Sequence, residues 1–307
     1  GVDLDSGSNS VSANTIGLNA AGTSSIGNTA GGVRLGAGTG NVVGGTTTNE
    51  RNVISGNGSN GVMVAGDSNT ISGNYIGLNT AGTAAVANLA TGVYVLGTGN
   101  TIGGTTAGQR NVISGNVDKG ITIQAGTNTI IGNYVGTNAT GTAAVGNGFS
   151  GVYLNSSSAN TVGGTSAGQG NLISGNGAYG VITLTNGHTI VGNLIGTDAA
   201  GTGAVANTSG GVYLDSSNNT LGGTTAAARN VVSGNTGSGV RVDGSTNTVS
   251  GNYIGIDGTG SVALANGVDG VRVASGTGNI IGATSGFRNV ISGNTGNGIT
   301  LLTDSNI

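Results

Sequence analysis

The sequence predicts an all-β protein, a single-stranded parallel β-helix (β-solenoid). Three observations predict this fold class: similar units recur along the whole chain, apolar residues alternate with small or polar ones within each unit, and no segment has a helical pattern. We expect a single domain over residues 1–307, with about ten coils of alternating 31 and 28–29 residues and three short strands per coil. Both ends are expected to be uncapped, because the first residue opens a unit in phase and neither terminal unit is atypical.

The composition excludes several classes of protein. Glycine supplies 67 residues and charged residues only 6 %, yet 35 % of the residues are apolar and periodic, so the chain is not disordered. The absence of cysteine excludes disulfides and thiolate metal sites. The net charge is −3 without a long basic run, and no apolar run approaches about 20 residues. We therefore expect neither a nucleic-acid partner nor membrane insertion.

A Gly-Val or Gly-Ile pair opens each unit. Successive openings are separated by 31, 29, 31, 28, 31, 29, 31, 28, 31 and 28 residues, so two unit types alternate. The longer type carries NTISGNYIGLNTAGTAAVAN over 69–88, and the shorter type carries NTIGGTTAGQRNVISGN over 100–116. A propeller blade needs about 40 residues and four strands, whereas a solenoid coil fits both the unit length and the constant phase. The opening glycines are Gly1, Gly32, Gly61, Gly92, Gly120, Gly151, Gly180, Gly211, Gly239, Gly270 and Gly298.

Stacked coils place equivalent residues in columns, about 4.8 Å apart along the axis. The residue after each opening glycine is Val or Ile in all eleven units, and the residue two positions further on is apolar in every unit except the one with Thr183. We expect both columns inside the tube, together with a third column on the second strand. The third column is Val11, Val43, Ile71, Ile102, Ile130, Val162, Ile190, Leu221, Val249 and Ile281.

A column of asparagines stands just before the second strand, with a histidine in one coil. Stacked side-chain amides can hydrogen-bond to the coils above and below, so we expect an asparagine ladder in a turn. His188 is interpreted as a ladder substitute rather than a catalytic base. The predicted ladder is Asn9, Asn41, Asn69, Asn100, Asn128, Asn160, His188, Asn219, Asn247 and Asn279.

With these motifs the chain resembles right-handed parallel β-helix repeat proteins of the pectate-lyase-like class. It is most similar to repeats of large secreted bacterial surface proteins, which use phrases such as NVISGN and NYIGTNATGTAAVGN. NVISGN stands here at 111–116, and NYVGTNATGTAAVGN at 133–147. The resemblance implies right-handed coils and an extracellular or cell-surface location. It implies no particular chemistry, because this fold carries many functions.

Polysaccharide lyases and hydrolases of the resembled class use clustered aspartates, often with Ca²⁺ or basic residues. The best carboxylate pair here is Asp215 and Asp243, four residues after their opening glycines in adjacent coils and so roughly 5 Å apart, as in a retaining glycosidase. Both flank turn sequences, DSSNN and DGSTN, in which Asp caps backbone amides. Lys119 is interpreted as a solvated turn residue. We expect no catalytic residue, no cofactor and no metal site.

The outward position of the first strand offers a binding surface, because tyrosines occupy it in every second coil, about 9.6 Å apart. Rings at that interval can stack on alternate sugars of an extended polysaccharide. Alternatively, tyrosine simply favours exposed strand positions and packs with its neighbours. The candidate carbohydrate-binding face comprises Tyr94, Tyr153, Tyr213, Arg241, Asp215 and Asp243.

An arginine column precedes the NVISGN strand in alternate coils, interrupted by Gly170. Charges at this spacing keep a strand face soluble and discourage lateral pairing of sheets, so we interpret the column as solvated structural charge. Its members are Arg51, Arg110, Arg229 and Arg288.

The leading functional hypothesis is a non-enzymatic extracellular structural β-solenoid: a surface stalk, a surface layer or a fibril subunit. Its partners would be copies of itself, stacked end to end in a non-closing assembly, or neighbouring coils of a longer chain. The alternative is a carbohydrate-binding or degenerate carbohydrate-active β-helix whose partner is a polysaccharide. Measuring saccharide binding discriminates between the two hypotheses.

Overall fold

A computed structural model describes residues 1–156, 159–282 and 287–307. The chain winds into a parallel β-helix in which each coil adds one strand to each of three sheets. Strands pair in parallel with the coils before and after them, so that Val93 lies beside Val62 on one side and Ile121 on the other. The predicted fold class, with three strands per coil, is therefore confirmed.

The strands are short, mostly two or three residues. Among the described residues the first sheet contains Val2–Leu4, Val33–Leu35, Val62–Val64, Val93–Val95, Ile121–Ile123, Val152–Leu154, Tyr179–Thr183, Gly210–Leu214, Ser238–Val242, Val271–Val273 and Ile299–Leu301. The second contains Ser10–Val11, Val42–Gly44, Thr70–Ser72, Thr101–Gly103, Thr129–Ile131, Thr161–Gly163, Thr189–Val191, Thr220–Gly222, Thr248–Ser250 and Ile280–Ile281. The third contains Thr15–Ile16, Val53–Ile54, Tyr75–Ile76, Val112–Ile113, Tyr134–Val135, Leu172–Ile173, Leu194–Ile195, Val231–Val232, Tyr253–Ile254 and Val290–Ile291.

The predicted apolar columns line the inside of the tube. Ile102 and Ile130, on the second sheet, are 0 % exposed, and the neighbouring residue Thr129 faces outward and is half-buried. The columns merge into one core that runs through all three sheets. Burial of each Val or Ile side chain contributes about 1.5–3 kcal/mol, and this strand phase fixes which residues supply it.

Packing requires the opening glycine in the nine units between the first and the last. A Cβ atom added at Gly92 would lie 2.5 Å from Ile113 Cγ2 and 2.8 Å from Asn116 Nδ2, which is closer than real Cβ atoms approach. The chain therefore enters the first sheet through a point where only glycine fits between the core and a corner asparagine.

Asparagine ladders run along all three corners of the tube, whereas the sequence analysis found only the first. In the predicted ladder the backbone N–H of each asparagine donates to the side-chain oxygen of the next, as from Asn41 to Asn69 at 2.8 Å. That backbone donation links every rung of the predicted ladder, and side-chain amide bonds join only some rungs. The predicted ladder is therefore confirmed as a chain of backbone-to-side-chain hydrogen bonds.

The second and third ladders stand between the second and third sheets and between the third and first sheets. Their side-chain amides donate to the next coil at 2.9–3.2 Å. The second is Asn14, Asn52, Asn74, Asn111, Asn133, Asn171, Asn193, Asn230, Asn252 and Asn289. The third is Asn28, Asn57, Asn88, Asn116, Asn147, Asn176, Asn207, Asn235, Asn266 and Asn294.

The two unit types differ in where they carry a loop. Longer units form a hairpin-like loop after the third-sheet strand, closed by antiparallel bridges such as that between Leu78 and Ala85. Shorter units loop out between the second and third sheets, where two of them form the 3₁₀ helices Thr48–Glu50 and Ala226–Ala228. Glu50 closes its loop by accepting the backbone N–H groups of Thr46 and Thr47 at 2.9 Å.

The loops of the longer units pack on the outer face of the third sheet. Tyr75 and Val112 point outward from that sheet, yet they are 9 % and 2 % exposed because the loop residues of the longer units pack over them. The outer face of the third sheet is therefore covered around Tyr75 and Val112, whereas most outward residues of the first sheet remain half-buried or exposed. This second, external core comprises Leu18, Val53, Tyr75, Leu78 and Val112.

Candidate functional site

The open outer face of the first sheet has the side-chain order that the sequence predicts. Tyr94 pairs with Met63 and Thr122, and Tyr213 pairs with Ile182 and Arg241. Tyrosines therefore alternate with other residues along this face, one in every second coil. All three predicted tyrosines are half-buried.

Tyr213 is the centre of a polar cluster. Its hydroxyl oxygen lies 2.8 Å from Asp215 Oδ1 and 2.9 Å from Asp243 Oδ2, so the two predicted carboxylates do meet, across one phenol. Arg241 donates from Nε and Nη2 to Asp243 at 2.6–3.2 Å and lies 5.0 Å from the centre of the Tyr213 ring. A phenol carries one proton, so it can donate fully to only one carboxylate at a time.

Tyr179 is a further member of this cluster that the sequence pattern did not predict. The Tyr179 ring lies 5.2 Å from the Tyr213 ring, tilted by 32°. First-sheet strands are five residues long in these coils, and Tyr179 pairs with Gly210. A Cβ at Gly210 would lie 2.7 Å from Tyr179 Cε1, so the glycine makes room for the ring. The available signal was a tyrosine directly before an opening glycine, where other units have small or polar residues.

The electrostatics of the cluster are those of a closed hydrogen-bond network. Burial raises the pKa of Tyr213, and its hydrogen bonds to Asp215 and Asp243 raise it further. The hydrogen bond to Asp243 raises the pKa of Arg241. Burial works to raise the pKa of Asp243, but hydrogen bonds from Arg241 and Tyr213 outweigh it and hold that pKa below its usual range.

This arrangement suits holding charge better than transferring protons. A glycosidase acid needs a carboxyl group whose pKa is raised, whereas Asp243 is held ionised by Arg241. Asp215 is exposed and can meet a polar ligand from solvent. The cluster therefore offers the Asp215 carboxylate to a ligand, beside a neutralised ion pair and a phenol whose proton is already donated within the cluster.

Tyr94 and Tyr153 lie outside this cluster, four and two coils away from Tyr213. Lys119 Nζ lies 4.9 Å from the centre of the Tyr153 ring and 5.2 Å from that of Phe149, and it pairs with Asp118 at 3.0 Å. Its side chain is 20 % exposed, so the interpretation of Lys119 as a solvated turn residue is wrong. Two aromatic rings and a carboxylate hold it against the first sheet.

Three members of the arginine column also depart from their solvated interpretation. Arg51, Arg110 and Arg229 lie over tyrosine rings of the next coil on the third sheet, 3.9–4.1 Å from the ring centres. The rings belong to Tyr75, Tyr134 and Tyr253.

The break in the arginine column is matched by a break in the tyrosines. Where the column has Gly170, the next coil has Leu194 in place of tyrosine, and the surface opens into a cleft of about 270 Å³. Arg51, Arg110 and Arg229 therefore pack on tyrosines of the third sheet. Arg288, in the last coil with a third-sheet strand, is exposed, as the solvated interpretation expects.

His188 is a ladder rung, as predicted. Its ring Nδ1 accepts the backbone N–H of Asn160 at 3.1 Å, and its ring Nε2 lies 3.0 Å from Thr185 Oγ1. The backbone N–H of His188 donates to Asn219 Oδ1 at 2.9 Å. The side chain is 1 % exposed, and burial lowers its pKa from 6.5 to about 4. The ring is neutral at physiological pH because Nδ1 must remain an acceptor.

Within the described residues, no group of three or more His, Cys, Asp or Glu side chains is arranged to hold a metal ion. The same part of the chain contains no helix with the length and apolarity needed to cross a bilayer.

The sheet pairing and the ladders define the chain as a parallel β-helix repeat protein. No protein-family model matches it, and a search of curated proteins returned no match. Among solved structures it is similar to the Dettilon tailspike protein (gp208), with 15 % sequence identity and a TM-score of 0.47. That similarity covers 99 % of this chain, which spans about 62 % of the length of the tailspike chain.

Proposed function

We propose that this chain is a structural β-solenoid that serves outside the cell as a rigid rod (a surface stalk, a surface layer or a fibril subunit) and catalyses no reaction. The proposal rests on the continuity of the ladders and of the apolar core from coil to coil. Three ladders and one apolar core link each described coil to the next, without a hinge between them. Bending such a rod requires breaking contacts at three corners and three sheets together, which makes the element stiff.

The charged side chains support a structural function, because several of them hold turns or one another. Asp257 is 4 % exposed and accepts the backbone N–H groups of Ser261 and Val262 at 3.0 and 3.1 Å. Asp243 is bound by Arg241, and Glu50 closes a loop. Each of these carboxylates is engaged by the fold itself, which leaves it poorly suited to act on a substrate.

End-to-end contact is the second part of the proposal. Ile299 and Leu301 occupy interior columns in the last turn and are 45 % and 47 % exposed, whereas Val271 and Val273, one coil earlier, are 0 % exposed. A further coil of the same shape would bury them, whether from a longer chain or from a second copy. Stacked copies would form a filament, because the contact joins unlike ends.

Electron microscopy of the purified native protein at several concentrations tests this proposal. Unbranched filaments with an axial repeat of about 4.8 Å are expected, and only short rods at every concentration would contradict end-to-end stacking. Leu301→Lys should abolish the filaments because Leu301 faces inward, whereas Leu302→Lys, at a neighbouring exposed position, should leave them unchanged. Circular dichroism of both variants verifies that the coils remain folded. Protease accessibility on intact source cells tests the extracellular location.

A second function, binding of a saccharide on the first sheet, is favoured by its open face and by the Tyr213 cluster. Half-buried tyrosines about 9.6 Å apart along this face could contact successive units of an extended ligand. A glycan array with the wild-type protein, Tyr153→Ala and the second-sheet control Thr161→Ala measures it. Binding that is lost only in Tyr153→Ala supports this function, and absence of binding in all three proteins removes it.

A further inference from the structure

Asn–Gly pairs are the sequence feature that neither proposed function uses. Glycine has no Cβ, so its backbone nitrogen can approach the side-chain carbonyl carbon of a preceding asparagine more freely than other residues can. The chain contains seven such pairs: Asn57–Gly58, Asn60–Gly61, Asn147–Gly148, Asn176–Gly177, Asn186–Gly187, Asn266–Gly267 and Asn297–Gly298.

Four of the pairs are locked in the third ladder. Their asparagines are at most 1 % exposed, and each side-chain amide donates to the next rung while its oxygen accepts from the previous one. Cyclisation there would require opening a corner of the tube. These asparagines are Asn57, Asn147, Asn176 and Asn266.

Asn186 stands apart from them, in the turn between Tyr179–Thr183 and Thr189–Val191. It is exposed, and its Oδ1 accepts the backbone N–H of Ser217 at 2.8 Å. Gly187 has a φ of +83°, no atom lies within 4 Å of the position that its Cβ would take, and its N–H donates to Ser217 O at a long 3.3 Å. The backbone nitrogen of Gly187 is therefore weakly held, and the space beside the glycine is open.

We propose that Asn186–Gly187 is a site of spontaneous covalent modification. Gly187 N attacks Asn186 Cγ to form a five-membered succinimide, the Cγ–Nδ2 bond breaks, and ammonia leaves with the proton from Gly187 N. Water then opens the ring at Cγ to give aspartate, or at the backbone carbonyl to give isoaspartate. The Ser217 N–H helps because it points at Oδ1, the oxygen that becomes negative in the tetrahedral intermediate.

Asn60–Gly61 is a matched control within the chain. Asn60 Oδ1 also accepts a backbone N–H, from Thr91 at 3.1 Å, and Gly61 N–H donates to Thr91 O at 3.0 Å. Here, however, Asn60 is half-buried, and a Cβ at Gly61 would lie 2.5 Å from Ile76 Cγ2. The two pairs share their hydrogen-bond pattern and differ in the space around the glycine.

The isoaspartate product would affect the fold locally. It adds one methylene to the main chain, two residues before the ladder rung His188. The His188 N–H, which donates to Asn219 in the unmodified protein, is expected to lose protection from hydrogen exchange in the modified fraction.

Peptide mapping by mass spectrometry tests the proposal, after the folded protein and a guanidinium-denatured sample have been incubated at mildly alkaline pH. In the folded protein, Asn186 should convert at a rate within about tenfold of its rate in the denatured sample, and Asn60 and the four ladder pairs should be slowed at least about 100-fold. Exposed Asn297 is the benchmark for an open pair. Asn186→Asp supplies the product standard, and Asn186→Gln should remove the signal. Protection of Asn186 equal to that of Asn60, or conversion of all seven pairs in the folded protein, would overturn the proposal.

Discussion

Two columns of tyrosines run along this β-helix, and they have different environments. On the third sheet, Tyr75 is 9 % exposed, lies beneath the guanidinium of Arg51 and belongs to an external core. On the first sheet, Tyr94 is half-buried and is not part of that external core. The residue type and the two-coil periodicity are the same, so the difference arises from the loops that the longer units place over one sheet only. A tyrosine column therefore indicates a binding face only where no loop covers it.

The largest expected effect concerns the second sheet, whose inward residues belong to the core that the two tyrosine-bearing sheets also enclose. Ile130→Asp should prevent folding, because it places a carboxylate where the native side chain is 0 % exposed, at a cost of more than about 5 kcal/mol. Thr129→Asp, on the outer face of the same strand, should cost about 1 kcal/mol or less. Chemical denaturation followed by circular dichroism measures both, and equal tolerance would contradict the strand phase.

The next test compares the two columns directly. Tyr75→Ala should lower the free energy of unfolding by about 3 kcal/mol, because it leaves a cavity beneath the loop and removes the ring under Arg51. Tyr94→Ala should lower it by about 1 kcal/mol or less, since water already reaches that side chain. Thermal and urea unfolding of both variants measure the difference. Similar losses would show that both columns contribute equally to the core.

Acid should weaken the tube at His188, at the corner between the first and second sheets. The pKa is about 4 in the folded chain against 6.5 ordinarily, so between these values the unfolded chain binds a proton that the folded chain does not. The stability contribution is complete above pH 6.5 and is lost as the pH falls through about 4. We expect a loss of about 2 kcal/mol between pH 8 and pH 5.

His188→Asn is the control for the acid experiment, because it restores the ladder amide and removes the titrating ring. The difference in the free energy of unfolding between the variant and the wild-type protein should grow as the pH falls from about 6.5 toward about 4. A difference that does not change with pH would contradict the assignment of the acid-sensitive rung.

The smallest expected effect concerns the stacking of Arg51 on Tyr75 at the third sheet. A double-mutant cycle with Arg51→Met and Tyr75→Leu should give a coupling free energy of about 1 kcal/mol, because the guanidinium lies 4.1 Å from the ring centre. The matched cycle on the open face, Arg34→Met with Met63→Leu, joins adjacent coils without a ring and should give a coupling near zero. Equal couplings would assign the stabilisation to general packing.

The three asparagine ladders differ in how easily the spacing of their residues in the sequence predicts them. The first ladder recurs every 27–32 residues, so it appears as a column once the units are aligned. The third ladder recurs every 28–31 residues, so it also forms a column when the units are aligned. The second alternates between separations of 22 and 37–38 residues, as from Asn52 to Asn74 and from Asn74 to Asn111. The loop of the shorter unit, inserted just before its asparagine, hides that column from a search at constant period.

The sequence predicted the strand registers that bring the residues of the candidate site together, but it did not predict their side-chain contacts. Strand phase and unit length determine that Tyr213, Asp215 and Asp243 lie in adjacent coils on one face. That phase cannot show that one hydroxyl bridges both carboxylates, or that Tyr179 packs on Tyr213 from a position outside the regular strand. Side-chain rotamers and the extra length of the local strands decide those contacts.

The sequence by itself determined the parallel coil, the inward columns, the first ladder and the order of residues on the first sheet. When a short unit repeats in phase, equivalent residues of all units must take the same position in the coil. Only the tertiary structure decided which sheet is open. The arginines and the loops of the longer units contribute their energy by packing on residues of other coils, such as Arg51 on Tyr75. Such cross-coil contacts depend on the direction in which a loop folds, and the repeat pattern does not encode that direction.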